Sequence, residues 1–452
     1  MDTIRINNRP KPHIMLPTHM AQSNDECYIG ALTGYYVPNS NYYNILPNDA
    51  KIDPERVSVV GYVFSSNIFK SLGEEIFEQI VFLNVNTDAT LTAAERFLKK
   101  SKTNNTTPIE KKLTDIHRLK EKLQDTFLEV PSDWWEAEFI PAINNCESHA
   151  LVGYWEDNKL HIVQLKTMHE VQIDTYALKL DVFSRNTGIL ESSIMLNKGA
   201  LFIGCGSVGS LVAVELAKAG VGRFMLVDND IFGYHNICRH QCGIYDVGRY
   251  KTDAVADRIL QINPYATIVK KNSMIQEVDR EEISSFCNPD TIVIGGADNR
   301  EGDLYANQFA IEIGMPFMSI GCWERAFAGE IFYCLPTGMP TYEDFLSVVG
   351  FSSGRVTQNR RFYTTEEELE KVSFEPGISA DVNFVTIIAV KIALDLLNRN
   401  TPEYTQRLVP NLTQYTLVCN TNNPHIGGEQ AEIFSYPLQV TTSIIVPYSK
   451  KD

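Results

Sequence analysis

From about residue 198 the chain alternates strand-like and helix-like segments, and a glycine cluster marks where the first strand gives way to the first helix. ALFIG is a buried strand. Residues 208–219 (VGSLVAVELAKA) carry apolar side chains at helical spacing and stop at Gly220. RFMLVD at 223–228 gives a second strand, and 252–263 a helix ending before Pro264. Residues 290–295 (DTIVIG) form a further strand, 303–313 a helix, and 316–321 (PFMSIG) another strand. This alternation predicts an α/β fold: a doubly wound, mostly parallel, Rossmann-type sheet with helices on both faces.

The flanking regions read differently. An N-terminal α+β domain is expected over 1–172, with strands at 27–37, 57–64, 149–155 and 160–165 and a polar, Lys-rich helix or loop at 98–124. The α/β domain then occupies 173–452. Within it, 337–376 is an irregular crossover segment, and 378–398 is a helix. Strands are expected at 414–419, 431–436 and 438–447.

A net charge of −16 argues against nucleic-acid and anionic-membrane partners. The apolar run at 384–397 includes Lys391 and Asp395, which makes it a core helix rather than a membrane span. Met1–Asn7 lacks the apolar stretch of a secretory signal, and the nine cysteines are irregularly spaced. A cytoplasmic, reduced protein is expected.

Gly204, Gly206 and Gly209 follow a strand and open a helix, where backbone N–H groups and the helix dipole favour a phosphate. Asp228 ends the next strand, where a carboxylate accepts ribose hydroxyls; that position suits NAD and ATP equally. Asp230 reads as a solvated turn residue. Asn236, Arg239 and Lys251 have no role in hydride transfer, whereas Arg239 and Lys251 suit the β- and γ-phosphates of a nucleotide losing pyrophosphate. Asp298, ending the strand DTIVIGGAD, is placed to hold Mg²⁺.

Taken together, Gly204-x-Gly206-x-x-Gly209, Asp228, Asn236-x-x-Arg239-His240, Gly248-x-x-Lys251 and Asp298-Asn299 resemble the motifs of the ubiquitin-activating, ThiF/MoeB/HesA-type adenylating enzymes. The resemblance covers about 180–335 well and the helix at 378–398 loosely. It implies ATP and Mg²⁺ as cofactors, with Asn236 and Asn299 among the nucleotide-binding residues. The implied reaction is adenylation of the C-terminal carboxylate of a ubiquitin-like protein or peptide. Phe-Ser-Arg-Asn at 183–186 is similar to the segment that carries the family's arginine finger. Arg185 would then act in the neighbouring subunit of a homodimer. A conjugating enzyme is a further partner the resemblance implies. The large N-terminal domain tilts it toward the activating enzymes of bacterial ubiquitin-like defence operons.

The chain departs from that family at two places. Where relatives carry a Cys-x-x-Cys pair for zinc, this chain has Thr341 and Asp344, so no structural zinc is expected. No cysteine lies between 335 and 418, the segment where relatives place a thioester cysteine. Cys322, Cys334, Cys238 and Cys205 are each read as packing residues. The N-terminal strands resemble a JAB/MPN fold without the histidines of its zinc site. An NAD-dependent oxidoreductase and a non-catalytic scaffold are the alternative functions.

Overall fold

In a computed structural model, the residues described are 11–22, 30–53, 56–57, 59–65, 79–85, 151–156, 159–164, 169–297, 300–349 and 376–444. The chain divides into two compact units, Met1–Asp181 and Val182–Asp452. The expected helix or loop at 98–124 lies outside the described residues.

The first unit holds a nine-stranded sheet among its described residues. Its strands are β1 (His13–Pro17), β2 (Gly30–Val37), β3 (Tyr42–Leu46), β4 (Val59–Ser65), β5 (Gln79–Val85), β6 (Leu151–Glu156), β7 (Lys159–Gln164), β8 (His169–Glu170) and β9 (Gln172–Tyr176). They lie in the order β8-β7-β6-β5-β4-β2-β3-β1-β9. Neighbouring strands are antiparallel except at β1, which runs parallel to both β3 and β9. Ile14 and Leu16 of β1 and Tyr43 and Ile45 of β3 are fully buried, while His13, Met15, Tyr42 and Asn44 between them are half-buried. That period of two puts one face of the sheet on the core. The boundary expected near 172 falls at the first residue of β9, a strand that pairs with β1.

The second unit is built on an eight-stranded sheet, with β10 (Gly199–Ile203), β11 (Arg223–Val227), β12 (Thr267–Lys271), β13 (Thr291–Gly295), β14 (Phe317–Cys322), β15 (Ala328–Cys334), β16 (Tyr415–Cys419) and β17 (Gln439–Ile444). The order is β12-β11-β10-β13-β14-β15-β16-β17. Pairings from β12 through β14 are parallel, and those from β14 through β17 are antiparallel. The parallel half matches the expected doubly wound sheet. Its helices are α1 (Ser207–Lys218), α2 (Lys251–Leu260), α3 (Arg280–Phe286), α4 (Arg300–Glu312), α5 (Tyr342–Val349) and α6 (Ser379–Leu397).

Alternate residues of the central strands feed two cores. Ala200, Phe202, Phe224, Ile292 and Ile294 pack with the apolar faces of α1, α2 and α6. Leu201, Ile203, Met225, Val227 and Val293 pack with α3, α4 and α5 on the opposite face. Each fully buried Phe or Ile in these layers contributes roughly 1.5–3 kcal/mol. A strand buried on both faces reads as a continuous apolar run, which is why ALFIG and DTIVIG are plain in the sequence.

Two expectations differ from the structure. Residues 431–436, expected as a strand, begin in a 3-10 helix, Gly428–Ile433, and Ala431 and Phe434 turn inward beneath Trp323 and Phe327. The crossover segment from 337 is not wholly irregular, because it contains α5; residues 350–375 lie outside the described residues. Thr341 and Asp344, noted only for not being cysteines, form a reciprocal cap on α5. The Thr341 Oγ1 accepts from the Asp344 N–H at 3.1 Å, and the Asp344 carboxylate accepts from the Thr341 N–H at 2.8 Å. No described helix is long and apolar enough to cross a membrane.

Candidate nucleotide site

The sheet reverses its winding at β10, which is flanked by β11 on one side and β13 on the other. In a doubly wound sheet the crevice beyond the strand ends at such a point is the usual ligand site. The glycine loop occupies it. Gly204 has φ +99°, and a side chain there would come within 2.9 Å of the Gly296 backbone. A Cβ at Gly209 would lie 2.0 Å from the Gly204 carbonyl oxygen. These two glycines let the loop fold back on itself and on the end of β13. Gly206 differs, because a Cβ there would meet nothing within 4 Å.

Gly206 is the N-cap of α1, and no side chain caps that helix end. The first N–H groups of a twelve-residue helix therefore point out with the positive end of the dipole. The two glycine types should separate by mutation. Gly206→Ala is expected to unfold within a few degrees of the parent, whereas Gly209→Ala should lower the melting temperature by roughly 10 °C or more. Differential scanning calorimetry of the pair checks this; equal losses would mean that Gly206 is packed as tightly as Gly209.

Asp228 lies just past β11 and holds the loop. Its Oδ2 accepts from the Cys205 N–H at 2.6 Å and its Oδ1 from the Asp230 N–H at 2.8 Å. Burial raises the carboxyl above its ordinary value, against the pull of those two N–H groups and of Lys251. The residue expected to meet ribose thus also anchors the glycine loop, with lone pairs remaining on both oxygens.

Lys251 is the first residue of α2 and is largely buried. Its Nζ donates to Asp230 Oδ2 at 2.6 Å, and its N–H donates to the Asp230 carbonyl at 3.0 Å. Asp230 is exposed, as a solvated turn residue is, and it is also the resting counter-ion of the lysine expected to meet phosphate. Asn236 spends its Oδ1 on the Gly233 N–H at 2.8 Å, closing the turn that precedes Arg239. Arg239 is half-buried, and its guanidinium lies toward Gly377 at the approach to α6. His240, beside it, reaches the glycine loop through the Cys205 carbonyl. Structure therefore brings together Gly204, Gly206, Gly209, Asp228, Lys251 and the Arg239–His240 step. Arg185 is exposed on the turn before β10. Asp298 and Asn299 lie outside the described residues.

Sequence reading missed two buried polar groups behind the site. Arg300, at the start of α4, pairs with Glu330 of β15 at 3.1 Å, both nearly inaccessible to water. Glu330 also accepts from Trp323 Nε1 at 3.1 Å and from the Tyr415 hydroxyl at 3.0 Å. A glutamate within the apolar strand AGEIFYC was the available signal, since a buried charge requires partners. Cys205 and Cys334 are buried, as read, and so are Cys242 and Cys419, while Cys322 is half-buried. Cys238 is not buried, and stands exposed on the turn before Arg239.

A model described as the ThiF family matches residues 188–427. Ubiquitin-like modifier-activating enzyme 5 of Dictyostelium discoideum is 29% identical over 149 residues, which is 31% of this chain and 39% of that protein. The sulfur carrier protein ThiS adenylyltransferase of Bacillus subtilis (strain 168) is 25% identical over 175 residues, 37% of this chain and 52% of that protein. The chain thus spans between about two fifths and about half of the length of these relatives. The solved structure of E. coli MccB with ATP is 18% identical and aligns at a TM-score of 0.39 over 50% of this chain and 62% of that one, too slight to bear on function. Because the family match begins ahead of β10, continues beyond β16 and takes in over half of the chain, the protein belongs to the ThiF family.

Proposed function

We propose that this protein uses Mg-ATP to adenylate the C-terminal carboxylate of a ubiquitin-like protein or peptide. The observation that carries this reading is the open N-terminus of α1, with a glycine loop pinned to Asp228 and a buried ammonium, Lys251, in the same cluster. The names of the relatives, one activating a ubiquitin-like modifier and one adenylylating a sulfur carrier protein, support the same chemistry.

In the proposed reaction a carboxylate oxygen attacks the α-phosphorus, the α–β bridging bond breaks, and pyrophosphate leaves with the electron pair. The N–H groups of the loop and the first turn of α1 bind phosphate oxygens. Lys251 leaves Asp230 for the phosphates, and with Arg239 it neutralises charge building on the leaving group. Asp228 receives the ribose on its remaining lone pairs, and Asn236 and Asn299 complete the nucleotide pocket. Arg185 acts across the interface of a homodimer. A magnesium ion held by Asp298 would add two further positive charges at the phosphates. Such an ion takes one or two carboxylates together with the nucleotide's own oxygens, so it needs no cage of three protein ligands.

The reading ends at the adenylate. Burial raises the thiols of Cys334 to about 11 and Cys242 to about 12, and it raises those of Cys205 and Cys419 as well, which suits none of the four for nucleophilic attack. Transfer to a cysteine, and from there to a conjugating enzyme, would be a separate step.

The test is mass spectrometry of proteins captured on the full chain with Mg-ATP, paired with thermal shift by Mg-ATP and by NAD. An acyl-adenylate on a captured C-terminus and a stabilising shift with Mg-ATP alone are expected. A shift with NAD in place of Mg-ATP would overturn the assignment.

A further inference from the structure

Cys205 is gripped on both sides of its α-carbon. Asp228 takes its N–H at 2.6 Å, and His240 Nε2 meets its carbonyl at 2.7 Å. His240 Nδ1 in turn accepts the Cys242 N–H at 3.1 Å. One neutral tautomer, with the proton on Nε2, satisfies both contacts. The ring is buried and packs edge-on against Phe232, with ring centroids 4.8 Å apart. Nothing in the proposed reaction uses it.

The Cys205 carbonyl and the Gly206 N–H belong to one planar trans peptide and point in opposite directions. Drawing the carbonyl inward onto the imidazole therefore turns the Gly206 N–H outward, at the glycine whose outer side is open. We propose that His240 is a positioning residue for nucleotide binding, holding the Cys205–Gly206 peptide so that the Gly206 N–H faces incoming phosphate. This rests on the Mg-ATP reading above and extends it to a group that need not touch the nucleotide.

The imidazole must stay neutral to serve, because a proton on Nδ1 would set two donors against each other. Burial lowers its pKa to about 4. The Cys205 carbonyl opposes the shift, nearby Lys251 pushes the same way as burial, and Asp246 favours the cation. Glutamine offers the same pair of groups, an amide N–H for the carbonyl and an amide oxygen for the Cys242 N–H. Phenylalanine keeps the ring against Phe232 and offers neither.

The experiment is Mg-ATP affinity of the full chain and two variants, measured by calorimetry below their melting temperatures. His240→Phe is expected to bind roughly tenfold more weakly, the loss of one buried hydrogen bond. His240→Gln should recover most of that affinity. Wild-type affinity in His240→Phe, whatever its melting temperature, would confine His240 to the core and overturn the inference. Failure of the wild type to bind Mg-ATP would instead overturn the ATP reading, and the inference with it. Should neither variant fold, ¹⁵N spectra of the wild type decide. The His240 ring should remain neutral at about pH 5.5, where an ordinary histidine is mostly cationic. Its Nε2 and the Gly206 N–H should shift together on adding Mg-ATP. A cationic ring, or a Gly206 N–H that does not respond, would overturn it.

Discussion

Lys251→Met is expected to weaken Mg-ATP binding by roughly a hundredfold while leaving the fold in place, since a hydrogen bond to a charged group is worth up to about 3 kcal/mol. The methionine keeps the apolar stem that occupies the buried start of α2 and removes only the ammonium. The partner left behind, Asp230, is well exposed and recovers water, so stability should change by less than about 1 kcal/mol. Asp230→Asn should act in the opposite sense on the same lysine. With its counter-ion gone, Lys251 is released toward the phosphates, and affinity should hold or rise. Titration calorimetry of both variants checks the pair. A Lys251→Met protein that binds as the parent does would show that this ammonium serves Asp230 and not the nucleotide.

Asp395→Ala should destabilise the second unit by roughly 4 kcal/mol, because its carboxylate, itself fully buried, satisfies four donors at once. Asp395 sits in α6 without measurable exposure. Its Oδ1 accepts from the Tyr404 hydroxyl at 2.7 Å, and its Oδ2 from the N–H groups of Arg407, Leu408 and Val409 at 2.9, 2.6 and 3.0 Å. Three successive backbone donors on one oxygen fasten the 404–409 segment to α6. Alanine strands all of them. Asparagine keeps one acceptor oxygen and loses the charge, and should fall between, at about 2 kcal/mol. Urea denaturation followed by circular dichroism measures both. A loss under about 1 kcal/mol in the alanine variant would mean that water replaces the carboxylate at little cost.

The parallel half of the second sheet was legible because its strands are buried on both faces and announce themselves as apolar runs. β12, TIVKK, was not: it is an edge strand, half-exposed, with two lysines among five residues. β15 escaped because Gly329 and Glu330 break its apolar run, and only the distant Arg300, Trp323 and Tyr415 make Glu330 a core residue. The 3-10 helix at 428–433 follows from Gly428, at φ +59°, and from aromatic packing that no local period encodes. At the site, residue types and spacing carried Gly204, Gly206, Gly209, Asp228 and Lys251. Pairwise detail did not follow from spacing. The partners of Lys251 and of His240 lie 21 and 35 residues away, and only the folded strand ends bring them within hydrogen-bonding reach.

The place of β1 in the first sheet bears on synthesis. It lies between β3 and β9, and β9 is contributed by the last stretch of that unit. A ribosome must therefore deliver nearly the whole unit before β1 can be closed in on its second side. Closing so long a loop costs about 3 kcal/mol more in chain entropy than closing a hairpin. Until then β1 carries one open edge of unpaired backbone N–H and C=O groups, which a neighbouring nascent chain could pair with. Expression as a truncated first unit ending before β9 would leave that edge open for good, and the vectorial order of translation thus sets which fragments of this protein stay free of aggregation.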